Sequence, residues 1–423
     1  MAQKQVHQGI LKNMDAVCAW YKKVSAEVAV PVYSSYDIRD AGYKIANVDA
    51  NIYPAGFNNI CPADRETSVG LMGKYIKGHY GAGVKRILLV TEEHTQNPFY
   101  WENVGAIKDL IEGAGYELKI GFPRLLPEPM SLTSATGRGF QVESAMPESA
   151  MFRDFRPDLV ISNNDFSNSH EEWGRSLPVP VNPPRELGWY QRKKSRYFRH
   201  YNDLVNEFSK VAELDPFLLR VETEEFQGFE IESEESRRAL AARVDTFLEA
   251  LRDGYRKRGL TQEPFVFVKN NAGTYGLAVV RVSSGRDVLE WNYKSRKKMK
   301  AAKGGRDVEE VIIQEGIPSV VKSDNASAEP VIYMIGCELA GGFLRTHAEK
   351  DDTESLNSPG AVYRRLCVSD LLVDPQGCPK ENVYGWSAKL GLLAIGREAH
   401  EMGVVFKDYK QLEEGCGSKV GAG

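Results

Sequence analysis

The clearest chemistry lies in the segment 265–280, Phe-Val-Phe-Val-Lys-Asn-Asn-Ala-Gly-Thr-Tyr-Gly-Leu-Ala-Val-Val. An apolar run ends on Lys269, a turn carrying Gly273, Thr274 and Gly276 follows, and a second apolar run begins. A lysine closing a buried strand is expected to face a cleft, because burying its charge unpaired is costly. Glycines let backbone N–H groups approach phosphate oxygens closely, and Lys269 would add a point charge. No Gly-Lys-Ser/Thr opens a helix here, so the pattern is not a Walker loop. An ordinary β-hairpin with a surface lysine is the competing reading. Further on, the run Val311–Ile313 passes into Gln314 and Glu315 and breaks at Gly316. A second hairpin pattern, 329–345, ends on Arg345, and Asn357-Ser-Pro-Gly360 makes a polar turn.

The spacing of apolar residues predicts the elements that must hold these groups. In the first half, helices over 8–28, 65–80 and 101–114 alternate with strands over 86–90, 116–122 and 158–162. That alternation predicts a mostly parallel sheet with helices on its faces. Such sheets bind ligands beyond the carboxyl ends of their strands, where Thr91–His94 and Asn163–Asp165 fall, so Asn164 is a candidate contact. The proline-rich stretch 178–184 reads as a boundary. Beyond it come helices over 194–212 and 235–258, strands over 264–269 and 277–282, and a basic helix over 287–300. Strands over 311–315, 331–336 and 338–344 and a last helix over 387–402 follow. The expected domains are 1–184 and 185–413, with a loose tail at 414–423.

A chain of 423 residues needs more than one core. With 42% hydrophobic and 26% charged residues it has the composition of a soluble protein. A net charge of −4 argues against a general nucleic-acid partner. No apolar run approaches the ~20 residues that span a bilayer, so no membrane partner is expected. The start of the chain lacks the apolar region of a secretion signal, and a cytoplasmic location is expected. The six cysteines show no metal-binding spacing and read as free, reduced thiols. The basic run Lys294–Lys300 reads as a solvated face, and His94 and His347 as structural. Composition leaves open a homo-oligomer.

The order of motifs resembles the ATP-grasp superfamily over about residues 193–402: a lysine before a glycine hairpin, a strand ending in Gln-Glu, a hairpin ending in arginine, then asparagine and glycine. The stretches 47–59, 268–276 and 354–360 resemble, more closely, the proteobacterial glutamate–cysteine ligases first met in acidophilic iron-oxidising bacteria. The resemblance implies an α/β fold, with an N-terminal parallel-sheet, pre-ATP-grasp-like domain followed by an ATP-grasp domain. It implies ATP and Mg²⁺ as cofactors, L-glutamate and L-cysteine as substrates, and γ-glutamylcysteine formed through an acyl phosphate, the first step of glutathione biosynthesis.

Carried over by position, the resemblance makes Lys194 (or Lys193) the first nucleotide lysine and Lys269 the second. Gly273, Thr274 and Gly276 then stand at the phosphates, and Gln314, Glu315 and Ile317 at the adenine and ribose. Arg345 stands at the transferring phosphate and Asn357 near magnesium. The usual late Glu-x-Asn magnesium pair has no clean copy; Asp370 and Glu381-Asn382 are the nearest candidates. In the N-terminal motif, Asp49 would accept an α-ammonium, and Asn51, Asn58 and Asn59 would bond carboxylate or backbone. The alternative is a loop held by its own asparagines. Arg138 is a further carboxylate-binding candidate. Rival readings are a ligase for another amino-acid pair and a non-catalytic nucleotide sensor on a ligase scaffold.

Overall fold

A computed structural model describes residues 1–273, 278–300, 308–367 and 383–412. The chain opens with α1 (Ala2–Lys12), α2 (Met14–Ala26), β1 (Tyr33–Asp40), β2 (Ile45–Asn51), α3 (Pro62–Tyr80), β3 (Arg86–Val90) and α4 (Pro98–Gly113). Next come β4 (Glu117–Phe122), β5 (Met130–Thr133), β6 (Gly139–Ser144), β7 (Leu159–Ser162), α5 (Glu171–Ser176) and β8 (Val181–Asn182). The middle holds α6 (Lys194–Val211), β9 (Thr223–Gln227), α7 (Glu234–Arg256), β10 (Val266–Asn270), β11 (Val279–Val282), α8 (Gly285–Leu289) and α9 (Tyr293–Lys300). It closes with β12 (Glu310–Glu315), β13 (Lys322–Ser323), β14 (Ala326–Ile335), β15 (Glu338–His347), β16 (Val362–Leu366) and α10 (Val383–Glu401).

Three sheets organise these elements. The first has the order β5-β6-β4-β3-β7-β8 and is parallel except for β5, the arrangement that alternating helices and strands predict. Its central strand β3 is buried from Ile87 to Val90, as a strand covered on both faces must be. The second sheet, β11-β10-β12-β9, is antiparallel. Helix α7 covers it, setting Leu240, Val244 and Leu248 in one core with Val266, Val268 and Ile313.

The third sheet, β16-β15-β14-β1-β2, is also antiparallel. Strands β1 and β2 have no counterpart in the apolar pattern. In Tyr-Ser-Ser-Tyr-Asp-Ile-Arg-Asp the apolar face is only Tyr36 and Ile38, flanked by Ser34 and Asp40, too short a pattern to betray a strand. The expected divide at residue 184 therefore separates β1 and β2 from their sheet partners β14–β16. The single helix expected over 8–28 is two, joined at Asn13. The basic helix expected over 287–300 is likewise two short ones. The reading of all cysteines as free thiols is corrected by a Cys61–Cys367 disulfide with Cα atoms 5.5 Å apart. It ties the start of α3 to the end of β16.

Helices α6 and α10 cover one face of the third sheet, and α10 is buried over most of its length. Arg192, just before α6, pairs there with Glu398 of α10 at 3.0 Å and donates to the Ala50 carbonyl at 3.0 Å. Both side chains are buried, and burial pushes the Glu398 carboxyl upward against the pull of Arg192. Glu398→Ala would strand the guanidinium and should cost about 3–5 kcal/mol. Urea denaturation should show that loss, and the double variant Arg192→Met/Glu398→Leu should be markedly more stable than Glu398→Ala. Unchanged stability of Glu398→Ala would remove this pair from the account.

Candidate active site

The face of the third sheet turned away from α10 meets the second sheet at a cavity lined by Asp37, Arg39, Val48, Asp49, Lys194, Phe267, Lys269, Gly273, Val279, Glu315, Ile317, Glu329, Ser355 and Asn357. Antiparallel register explains why the charged groups gather. Asp49 lies opposite Asp37, Asp37 opposite Val331, and Glu329 opposite Arg345. Directly paired residues share a face, so three carboxylates and an arginine from four strands point into one space.

Arg345 donates to Asp37 at 2.6 Å and to Glu329 at 2.7 Å. These anions outweigh burial and raise its already high pKa further. Glu329 also binds Arg39 at 2.5 Å. Burial works against its ionisation, but the two arginines hold its pKa below the usual range. Asp37 goes the other way: burial, with Glu329 nearby, raises its pKa despite Arg345. Arg39 extends this lattice outward by donating to the carbonyls of Asp352 at 3.2 Å and Glu354 at 2.8 Å. It thereby holds the loop that brings Ser355 and Asn357 to the cavity.

Lys269 ends the buried run of β10 and reaches across to Gln314 Oε1 at 2.6 Å and the Val48 carbonyl at 3.1 Å. Burial lowers its pKa to about 8, with Asp49 resisting and Lys194 reinforcing the shift. Lys194, at the start of α6, is ion-paired with Asp49. Burial opposes ionisation of Asp49, yet Lys194 and Lys269 hold its pKa below the usual value. Next to the lysines, Phe267, Val279 and Ile317 make an apolar slot. Lys44, in the turn between β1 and β2, grips Glu315 through both oxygens at 2.6 and 2.7 Å. Tyr255 of α7 donates to the same carboxylate at 2.9 Å. Glu315 thus spends its side chain on joining the second and third sheets, and only its backbone and position remain for a ligand.

Of the residues expected from sequence, Lys194, Lys269, Gly273, Glu315, Ile317, Asp49 and Asn357 line the cavity; Arg345 and Gln314 stand behind it, bonded to its lining. Lys193 pairs instead with Glu310 at 2.7 Å. Asn51 caps its own turn by accepting from the Tyr53 N–H at 3.1 Å. Asn58 donates to Asn59 at 3.3 Å in the short 3₁₀ turn Phe57–Asn59. Neither lines the cavity. Arg138 is held by Asp109 at 2.7 and 2.9 Å on the first sheet's flank. Asn164 is buried, donating to the Thr91 carbonyl at 3.1 Å and accepting from the Phe166 N–H at 2.9 Å. Arg138 and Asn164 therefore act within their own domain. Thr274, Gly276, Asp370 and Glu381-Asn382 lie outside the described residues. Sequence reasoning passed over Asp37, Arg39, Lys44 and Glu329. The alternation Asp37-x-Arg39 was the available signal, and it becomes readable only once Tyr33–Asp40 is taken as a strand.

The chain matches the glutamate–cysteine ligase family model over residues 7–399. A solved structure from Methylobacillus flagellatus KT, a gamma-glutamylcysteine synthetase whose assignment is itself provisional, is 32% identical at a TM-score of 0.84. That likeness covers 93% of this chain and 95% of the other. D-alanyl-alanine synthetase A from Vibrio cholerae O1 biovar eltor is 12% identical over 76% of this chain and 81% of that one. Its TM-score of 0.32 is too low to carry an argument. No curated protein matches the sequence. No helix among the described residues is long and apolar enough to cross a membrane. By its match over nearly the whole chain, the protein belongs to the glutamate–cysteine ligase family.

Proposed function

We propose that this chain joins the γ-carboxylate of L-glutamate to the amine of L-cysteine, with ATP converted to ADP and phosphate, in an ATP-grasp-like cleft between its second and third sheets. The observation that carries the reading is the set of groups gathered around one cavity. An apolar slot of Phe267, Val279 and Ile317 suits a nucleobase; Lys269 and Lys194 suit phosphates; the carboxylates of Asp37, Asp49 and Glu329 stand with Arg345 behind them.

The chemistry asks for little beyond positioning and charge. A carboxylate is a poor electrophile. Transfer of the γ-phosphoryl group to it forms an acyl phosphate and releases ADP. The cysteine amine attacks the carbonyl carbon, the C–O bond to phosphate breaks with its electron pair, and the amine loses a proton. Lys269 and Lys194 orient the phosphates. Arg345, clamped by Asp37 and Glu329, presents a fixed guanidinium to the transferring group, where it gains most as charge develops.

The donor set fits a hard divalent cation such as Mg²⁺: Asp37, Glu329 and Asp49 offer carboxylate oxygens on one face. Asn357 lines the same space. A bound ion would supply neutralisation of charge on the phosphates. The carboxylates do not form a closed cage, which magnesium does not require.

Incubation with L-glutamate, L-cysteine and MgATP should yield γ-glutamylcysteine by mass spectrometry, with ADP release requiring both amino acids. Turnover with a different amino-acid pair, or none, would overturn the substrate assignment.

The lysine gives a pH test. Phosphate binding favours charged Lys269, so above its free pKa of about 8 binding must take up a proton. The Michaelis constant for ATP should be flat below pH 8 and rise toward about tenfold per pH unit above it. Lys269→Arg stays charged and should remove that rise. A flat wild-type profile to pH 9.5 would sink the assignment.

Arg345→Lys keeps one charge but cannot satisfy two carboxylates in a planar fork. Its kcat should fall about 100-fold or more, with a much smaller change in KM for ATP. Equal losses in both would mark Arg345 as a nucleotide-binding group.

A further inference from the structure

We propose that Arg365 of β16 binds the α-carboxylate of an amino-acid substrate, beside the reaction centre and on the same sheet face. The inference rests on the ligase reading above and names a contact for which the cavity so far has no group.

The register carries the argument. Asp49, Asp37, Val331, Phe343 and Arg365 form one row of directly paired residues across all five strands β2, β1, β14, β15 and β16. No bulge falls within that row. Its members therefore share a face, the face that carries Arg345 opposite Glu329 and Tyr363. Arg365 is a diagonal neighbour of Arg345, roughly 7–8 Å away at the backbone. Glutamate's two carboxyl carbons are four bonds apart, about 5 Å when extended. A glutamate with its γ-carboxylate near Arg345 would have its α-carboxylate within reach of Arg365.

The surroundings suit that role. Arg39 and Arg345 are buried and engaged by carboxylates, whereas Arg365 is exposed and, among the described residues, forms no ion pair. Its Nε donates to Cys367 Sγ at 2.8 Å, which in the ligand-free protein leans the side chain along β16 toward Cys367, so its terminal nitrogens would swing back toward Arg345 to meet a carboxylate. Cys367 is itself joined to Cys61, so the strand end bearing Arg365 is anchored to α3. Tyr363 packs edge-on against Phe343 with ring centroids 5.1 Å apart, making an aromatic wall beside it. The turn Phe57–Asn59 packs against β16 and brings Asn58 and Asn59 to this region, away from the nucleotide slot. A guanidinium fork matches a carboxylate bidentately.

The test compares each substrate with its analogue lacking the α-carboxylate: L-glutamate with 4-aminobutyrate, and L-cysteine with cysteamine. The wild-type enzyme and the Arg365→Gln and Arg365→Lys variants are assayed for ADP release. Calorimetric binding of the same compounds keeps the comparison readable where turnover is lost. In Arg365→Gln the preference for one carboxylate-bearing substrate over its analogue should fall at least tenfold, with partial recovery in Arg365→Lys. KM for ATP and the melting temperature should stay at wild-type values. A change in the glutamate pair or in the cysteine pair tells which substrate supplies the carboxylate. Wild-type preferences for both pairs in Arg365→Gln would overturn the proposal and leave the ligase reading standing. Failure of the wild-type enzyme to make γ-glutamylcysteine would overturn the ligase reading and this proposal with it.

Discussion

Arg345 is buried, and a buried guanidinium without anions is not tolerated. Its partners come from two strands: Glu329 on β14 and Asp37 on β1, the latter 308 residues away in sequence. Satisfying that one side chain seats the N-terminal hairpin beside β14, where it completes one side of a sheet otherwise built from the last third of the chain. Once β1 is there, β2 follows, and Asp49 reaches Lys194 of α6 while Val48 reaches Lys269 of the second sheet. The β1–β2 turn brings Lys44 to Glu315 and couples the two sheets there. Arg39, on the same strand, fastens the loop of Ser355 and Asn357. Much of the candidate site thus depends on the ion pairs that seat β1.

That dependence explains what was legible in the sequence. Strands buried on both faces, such as Arg86–Val90 and Val311–Glu315, announce themselves by apolar runs. Lys269 stood out because a charge ended such a run. Strands β1 and β2 did not, because one of their faces is the site itself. Asp37 and Arg39 alternate with buried Tyr36 and Ile38, and Asp49 and Asn51 with Val48 and Ala50, but each apolar face is only two residues long and does not stand out from the polar residues around it. The motif 47–59 stands out in the sequence for its polar content. Its parts serve different ends: Asp49 faces the lysines, Asn51 holds a turn, and Asn58–Asn59 lie toward β16. Arg138 and Asn164 attracted interest by position alone. Side-chain partners, which spacing does not encode, show both occupied within the first domain.

The first sheet has a supporting part consistent with this. Asn163, at the end of β7, donates to the Pro54 carbonyl at 2.9 Å and accepts from Asn103 of α4 at 3.1 Å. Asn103 in turn accepts from the N–H groups of Gly56 and Phe57 at 2.9 and 3.0 Å. The polar strand end that the parallel-sheet rule marks as a binding place here binds the protein's own 54–57 segment. It fixes the turn that leads to Asn58 and Asn59.

Charge counting then constrains how a nucleotide is accommodated. Around the cavity stand Lys194, Lys269, Arg39 and Arg345 against Asp37, Asp49 and Glu329, with Lys44 and Glu315 cancelling each other. The excess is a single positive charge, and the lowered pKa of Lys269, at about 8, makes even that one soft. A nucleoside triphosphate brings several negative charges, which this lattice alone leaves largely uncompensated. On the ligase reading, a divalent cation bound with the nucleotide would close the gap, and carboxylates now paired with arginine and lysine would be the groups to hold it. The ion pairs of the ligand-free protein are then placeholders. They keep Asp49 and Glu329 ionised, and all three carboxylates oriented, in a low-dielectric cleft where bare carboxylates would take up protons.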